Sequence, residues 1–199
     1  QLWKEELIGL PYNYFHSWEY CNAISETTKI DSFLVSITNE HGKFICTLNK
    51  RAKINGYDEI FTPYGYGGIV IKCTPGKENY FIDYWLNFAS KNKYINAYLM
   101  QHPLTNLGNG WENDTYSNHQ VYLIDLEQTT EILWRKLRKG HKYEINKAIN
   151  NTDIEIITDK NILFDPFTKL YSHTLQRVNA SDTYKFHIDT LKKLAYSKD

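Results

Sequence analysis

The chain has 199 residues, with 23 Lys and Arg against 23 Asp and Glu, a formal net charge of +0 and a pI of about 7.2. Balanced charge excludes a bulk electrostatic pull towards nucleic acid or a membrane surface, so any anion site has to be local. A hydrophobic fraction of 42% suits one full globular domain or one domain plus part of another, and no apolar run is long enough to span a bilayer. Cys21, Cys46 and Cys73 lie far apart, with neither CxxC nor zinc spacing. Reduced thiols and a cytoplasmic location are therefore expected, with no metal.

Leu10-Pro11 closes an irregular start. Residues 17–25 read as a short helix with Trp18, Cys21 and Ile24 inward. Phe33, Val35 and Ile37 alternate as a strand, Asn39-Glu40-His41-Gly42 is turn chemistry, and Lys43 to Leu48 is the returning strand. Asn55-Gly56 marks another turn before a strand from Tyr57 to Thr62. Pro63-Tyr64-Gly65-Tyr66-Gly67-Gly68 breaks regular structure, and Ile69 to Lys72 is extended. Lys77 to Lys91 is helical, with Phe81, Trp85 and Phe88 on one side. Tyr94 to Met100 is a strand, Pro103 to Ser117 a long polar loop, and His119 to Leu126 another strand. Thr129 or Thr130 caps a helical stretch that runs to Asn150, expected to pack through Leu137 and Ile145. Ile154 to Thr158 alternates as a strand. Phe167, Leu170, Tyr171, Thr174 and Val178 then make an amphipathic helix, and Ser181 or Asp182 caps a last segment carrying Ile188, Leu191 and Ala195.

This order predicts an α+β fold: a mixed, mostly antiparallel sheet with helices on both faces. No Gly-rich turn follows the first strand, which argues against a doubly wound parallel sheet. The closing helical pair reads as the opening of a second lobe, giving 1–160 and 161–199 as the expected division. Its apolar face invites a partner chain, a second copy included.

Three features suggest a site. Arg135, Arg138, Lys139 and Lys142 follow i, i+3, i+4, i+7, so one helical face would be basic, as a solvated surface also is. Guanidinium and ammonium groups there suit a phosphate or carboxylate. Gly140, beside His141, suggests a helix break or a close approach. Tyr64 and Tyr66 flank the glycines of a loop that is either ligand-facing or simply a kinked strand end. Arg177 sits at the edge of the amphipathic helix, facing a cleft or snorkelling to solvent. No G-x-S-x-G elbow, H-E-x-x-H or catalytic cysteine context is present, and Asp125 and Glu127 make no carboxylate pair.

The segments TPYGYGGIVI, VYLIDLEQTTEILWRKLRKGHKYEINKAINNTDIEI and LYSHTLQRVNASDTYKF, in that order, resemble the Fem and BioF2-like branch of the GNAT acyltransferases. The resemblance runs from the first hairpin to about Phe186. It implies two GNAT-like lobes, the first complete here and the second only begun. It implies acyl-CoA, such as acetyl-CoA, as donor. The pyrophosphate loop, Arg/Gln-x-x-Gly-x-Gly/Ala, is absent from this sequence, since Leu107-Gly108-Asn109-Gly110 lacks the basic residue and spacing. Its expected place is the second lobe, beyond Asp199, which leaves the 199 residues themselves without activity. The resemblance further implies a bacterial source and an amino-sugar, nucleotide-sugar or peptidoglycan-type acceptor. By motif match it makes Tyr64, Tyr66, Arg138, Lys139, Lys142 and Arg177 cleft residues; of these, the cations Arg138, Lys139, Lys142 and Arg177 are expected to converge on an anionic acceptor. The alternatives are Fem-type transfer from aminoacyl-tRNA, and a non-catalytic carbohydrate- or peptide-binding module using Tyr64, Tyr66 and Trp111.

Overall fold

The computed structural model describes residues 2–105, 120–151 and 153–197, apart from the side chains of residues 52–54. The chain forms two compact units, Gln1–Tyr116 with Phe164–Asp199, and Ser117–Leu163.

The first unit opens with a helix where an irregular start was expected: α1, Leu2–Leu7, which buries Leu7. Six residues are too few to show a helical period in the sequence. Asn13 caps a 3-10 turn, Tyr14–His16, and the Ser17 hydroxyl accepts from the Tyr20 N–H at 3.1 Å to start α2, Trp18–Thr28. Lys29, at φ 55°, ends α2 in the left-handed region.

Strands β1, Ser32–Asn39, and β2, Gly42–Ile54, form the expected hairpin, with Ser32 opposite Asn49 and Asn39 opposite Gly42. The Asn39 side chain closes the turn by accepting from the N–H groups of His41 and Gly42. Asn55 and Gly56, both at positive φ, turn the chain into β3, Tyr57–Phe61. Then come β4, Ile69–Cys73, α3, Glu78–Lys91, and β5, Tyr94–Tyr98. β5 pairs parallel with β3, and the other pairings are antiparallel. The fold is α+β with a mostly antiparallel five-stranded sheet.

The pleat of β2 explains the two-sided burial. Phe44, Cys46 and Leu48 face one way and join Val35, Ile60 and Ile69 with Phe81 and Trp85 of α3. Ile45 faces the other way and joins Val70 and Leu7, with Trp3 and Leu34 against them. Helices therefore cover both faces. Each large apolar side chain so buried contributes about 1.5–3 kcal/mol.

Residues 161–199, read as the opening of a second lobe, hold most of α6, Lys160–Arg177, and all of α7, Ile188–Ala195. From Phe164 onward they belong to the first compact unit. α6 buries no residue, whereas α7 docks on α2. There Thr190 donates to the Ala23 carbonyl at 2.8 Å and lies 2.8 Å from the Thr27 hydroxyl. Phe186 and Leu194 pack on Tyr20, Cys21 and Ile24.

The second unit corrects three expectations. The stretch from Thr130 to Asn150 is two helices, α4, Thr130–Lys136, and α5, Lys139–Ile149. Leu137 and Arg138 between them are extended, at ψ 140° and 151°. Residues 120–126 and 154–158 are not strands, although His119, where the first was expected to begin, lies outside the described residues. Alternation reports which side chains want cover, but a strand also needs a ladder partner, and neither segment has one among the described residues. Their apolar side chains are accordingly exposed, Tyr122 at 90% and Ile156 at 87%. No described residue of this unit is buried.

Candidate functional site

β3 and β4 both run along the same edge of β2, end to end. Phe61 pairs with Asn49 and Ile69 with Cys46, so the residues between leave the sheet and return a few positions along. This excursion carries Tyr64 and Tyr66. It is anchored through four of its carbonyls. Thr47 donates its hydroxyl to the Gly67 carbonyl at 2.7 Å, and Asn13 Nδ2 donates to the Tyr66 carbonyl at 3.0 Å. The Tyr20 hydroxyl donates to the Tyr64 carbonyl. His16, only 1% exposed, places Nε2 2.9 Å from the Gly68 carbonyl, so that nitrogen carries the proton. Its Nδ1 then accepts from the Asn13 N–H at 3.3 Å. Gln101 completes the edge: its side-chain amide accepts from the Ile69 N–H at 2.9 Å and donates to the Ile69 carbonyl at 2.8 Å, as a neighbouring strand would.

The glycines serve this packing. Gly65 holds φ 109°, and any Cβ on Gly67 would meet the Thr47 hydroxyl at 2.6 Å. The kinked-strand reading thus accounts for all three glycines, because a Cβ on Gly65 or Gly68 would strike Phe15 or Gln101. The tyrosine rings remain for other work. Tyr66 stands edge-on to Phe15, ring centres 5.8 Å apart, and faces His102 at 6.2 Å. Tyr64 turns the other way, edge-on to Phe186 at 5.3 Å and Tyr184 at 6.5 Å.

Tyr64 thereby forms one wall of a concavity of about 610 Å3. Tyr171, Tyr184 and Phe186 form the other aromatic walls, and Leu175, Val178 and Ala180 supply aliphatic surface. Ser181 completes the lining, so no charged side chain takes part among the described residues. The Tyr171 hydroxyl organises the far wall: it donates to the Tyr184 carbonyl and accepts from the Phe186 N–H at 3.1 Å. Burial, then the neighbouring Tyr184, pushes the Tyr64 hydroxyl up, so it stays protonated.

The basic residues are placed differently from the single face expected. Arg135 lies in α4, Arg138 occupies the position before α5, and Lys139 and Lys142 begin α5. All but Lys142, which is half-buried and reaches the Arg135 carbonyl at 3.3 Å, are exposed. The α5 N-terminus has no acidic residue in its first turn and no side-chain cap, so its cations oppose the helix dipole. Leu137 is half-buried, and His141 and Ile145 are exposed. Gly140, with nothing within 4 Å of a built Cβ, lies in the first turn of α5 rather than mid-helix. Arg177 is the last residue of α6, exposed, where a cation complements the helix end. Trp111 and Gly108-Asn109-Gly110 lie outside the described residues.

Nucleophilic chemistry finds little here. Burial pushes the Cys21 thiol up to about 12, raises Cys46 further, and also raises Cys73. Asp125, whose carboxyl is held low by the Gln128 side chain and the Glu127 N–H, closes a turn and not a strand. Among the described residues no three His, Cys, Asp or Glu side chains group as metal ligands do. No helix among them is long and apolar enough to cross a membrane. The sequence reading passed over His16, Asn13, Tyr20 and Gln101. Only Asn13, three residues before His16 in capping-box spacing, carried a local signal. Compared with protein-family models, curated proteins and solved structures, the chain matches none.

Proposed function

We propose that the chain belongs to an N-acyltransferase that passes an acyl group from an acyl thioester to an amino group on a sugar, nucleotide sugar or cell-envelope precursor. The observation that carries this reading is the Tyr64 concavity, an anchored, uncharged recess beside a loop of two half-exposed tyrosines. The resemblance of the three quoted segments to the Fem and BioF2-like branch supports it, and so does an α+β sheet with helices on both faces. The 1–160 and 161–199 lobes, and the acceptor roles of Arg138, Lys139, Lys142 and Arg177, stand as part of the same proposal.

The described thiols are all held protonated, which suits direct transfer over a covalent enzyme intermediate. The amine nitrogen bonds to the thioester carbonyl carbon, the C–S bond breaks, and the amine's proton leaves with the thiol. The pyrophosphate-binding loop is missing from the sequence, so these residues do not fit the coenzyme's phosphates and no step is assigned to them.

The test is thiol release from acetyl-CoA and longer acyl-CoA, with glucosamine, a UDP-linked amino sugar and a lysine-containing muropeptide offered in turn. Release that depends on an amine, with the amide confirmed by mass, is expected from the protein. Absence of amide with every pair overturns the reading. A second reading is favoured by the exposed Arg135, Lys136, Arg138 and Lys139: transfer from aminoacyl-tRNA, whose phosphates those groups would meet. Amide formed only with charged tRNA would select it.

A further inference from the structure

The concavity is built, not left over. Its near wall hangs on a backbone fixed by Tyr20, and its far wall on a backbone clamped by Tyr171. Both anchors lie in the first compact unit, as do all the lining residues. The chemistry of that lining discriminates between occupants. A sugar ring presents hydroxyls on its edges and needs carboxylate, amide or guanidinium partners; none lines the recess among the described residues. A phosphate or carboxylate would need a cation, and none lines the recess among the described residues. Among the described residues the lining hydroxyls are on Ser181 and the tyrosines, and the Tyr171 hydroxyl is already engaged on both sides. Aromatic faces opposed by Leu175, Val178 and Ala180 suit an uncharged hydrocarbon chain, held by dispersion and by release of water.

The geometry points to this concavity as the seat of the acyl chain of the thioester, a medium-length alkyl chain rather than acetyl. An acetyl group would touch only a small part of walls that run from Tyr64 to Val178 and Tyr184. This deepens the acyl-transfer reading and rests on it for the word thioester, but the chain-binding site is open to test without turnover.

The probes are neutral thioesters of N-acetylcysteamine carrying two, six and eight acyl carbons, titrated calorimetrically into the 199-residue chain. Affinity is expected to rise by up to about fourfold for each methylene buried. Val178 is 55% exposed at the end of α6, so Val178→Asp sets a charge on the lining without touching the core. It is expected to weaken the eight-carbon probe about tenfold or more, at an unchanged melting temperature. Tyr184→Ala, at another exposed position, should also weaken it and serves as the check if Val178→Asp does not fold. Affinity independent of chain length, or a folded variant that binds the eight-carbon probe like wild type, overturns the inference. The two readings fail separately. Chain-length-dependent binding with no amide formed leaves the alkyl site standing and removes acyl transfer. Acetyl transfer with no preference for longer chains does the reverse.

Discussion

His16 is a buried ring with one proton and two obligations, to Gly68 and to Asn13. Burial holds its pKa below the ordinary value of 6.5, His102 pushes the same way, and the bond to the Gly68 carbonyl opposes them. The unfolded chain therefore takes up a proton that the folded chain resists. Stability from this residue is fully present above about pH 6.5 and falls as pH drops towards the lowered folded value. Urea unfolding at pH 7.5 and 5.5 should show the loss, and His16→Gln should flatten it. A wild-type midpoint unchanged between the two pH values would contradict this. Two glycines make an opposed pair. Gly67→Ala drives a Cβ into the Thr47 hydroxyl and should cost about 1–3 kcal/mol by denaturant titration. Gly140→Ala meets open space inside α5 and should leave stability unchanged or raise it by up to about 1 kcal/mol. Similar costs at both positions would refute the contrast. The sequence shows both glycines alike; only the neighbours of Gly67 at 15 and 47, distant along the chain, separate them.

Among the elements, α7 depends on one buried hydroxyl. Thr190→Val removes the bond to the Ala23 carbonyl and the contact with the Thr27 hydroxyl; a loss of about 1–2 kcal/mol is expected. Hydrogen exchange should quicken first at residues 188–195, where Lys193 also pairs with Glu26 at 2.5 Å; protection unchanged there would reject the assignment. Elements with a strict local pattern were legible in advance. The alternation of Phe33, Val35 and Ile37 fixed β1, and the spacing of Phe81 and Trp85 fixed α3, because each side chain's burial repeats at the period of its own element. The segments at 120–126 and 154–158 have the same alternation and are not strands, because pairing is a property of two segments and alternation of one. The break at Leu137–Arg138 had Gly140 as its nearest signal, two residues late. Around the recess, Tyr64 was legible from the glycines beside it, whereas Tyr171 read only as a member of an amphipathic helix and Tyr184 carried no pattern of its own. Their partnership through a main-chain carbonyl has no sequence signature.

At the scale of the molecule, the two units differ in kind. The first has cores on both faces of its sheet, and the second has no buried residue among those described. Local opening costs least where least apolar surface is buried. Brief trypsin treatment should therefore make its first internal cuts between Arg135 and Lys147, before any at Lys50 or Arg51 of β2. Earlier cleavage in β2 would mean that the second unit is the better protected.

β2 also sets an order in time. It pairs with β1, β3 and β4, all between Ser32 and Cys73, and their connections close short loops that cost little chain entropy. Tyr171, Tyr184 and Phe186 come from the far end of the chain and reach Tyr64 only across a long separation. A refolding chain would thus set the tyrosine loop into its sheet edge early and wait for the opposite wall. During that interval Tyr64 stands uncovered, and the recess exists only once the chain's last helices have arrived.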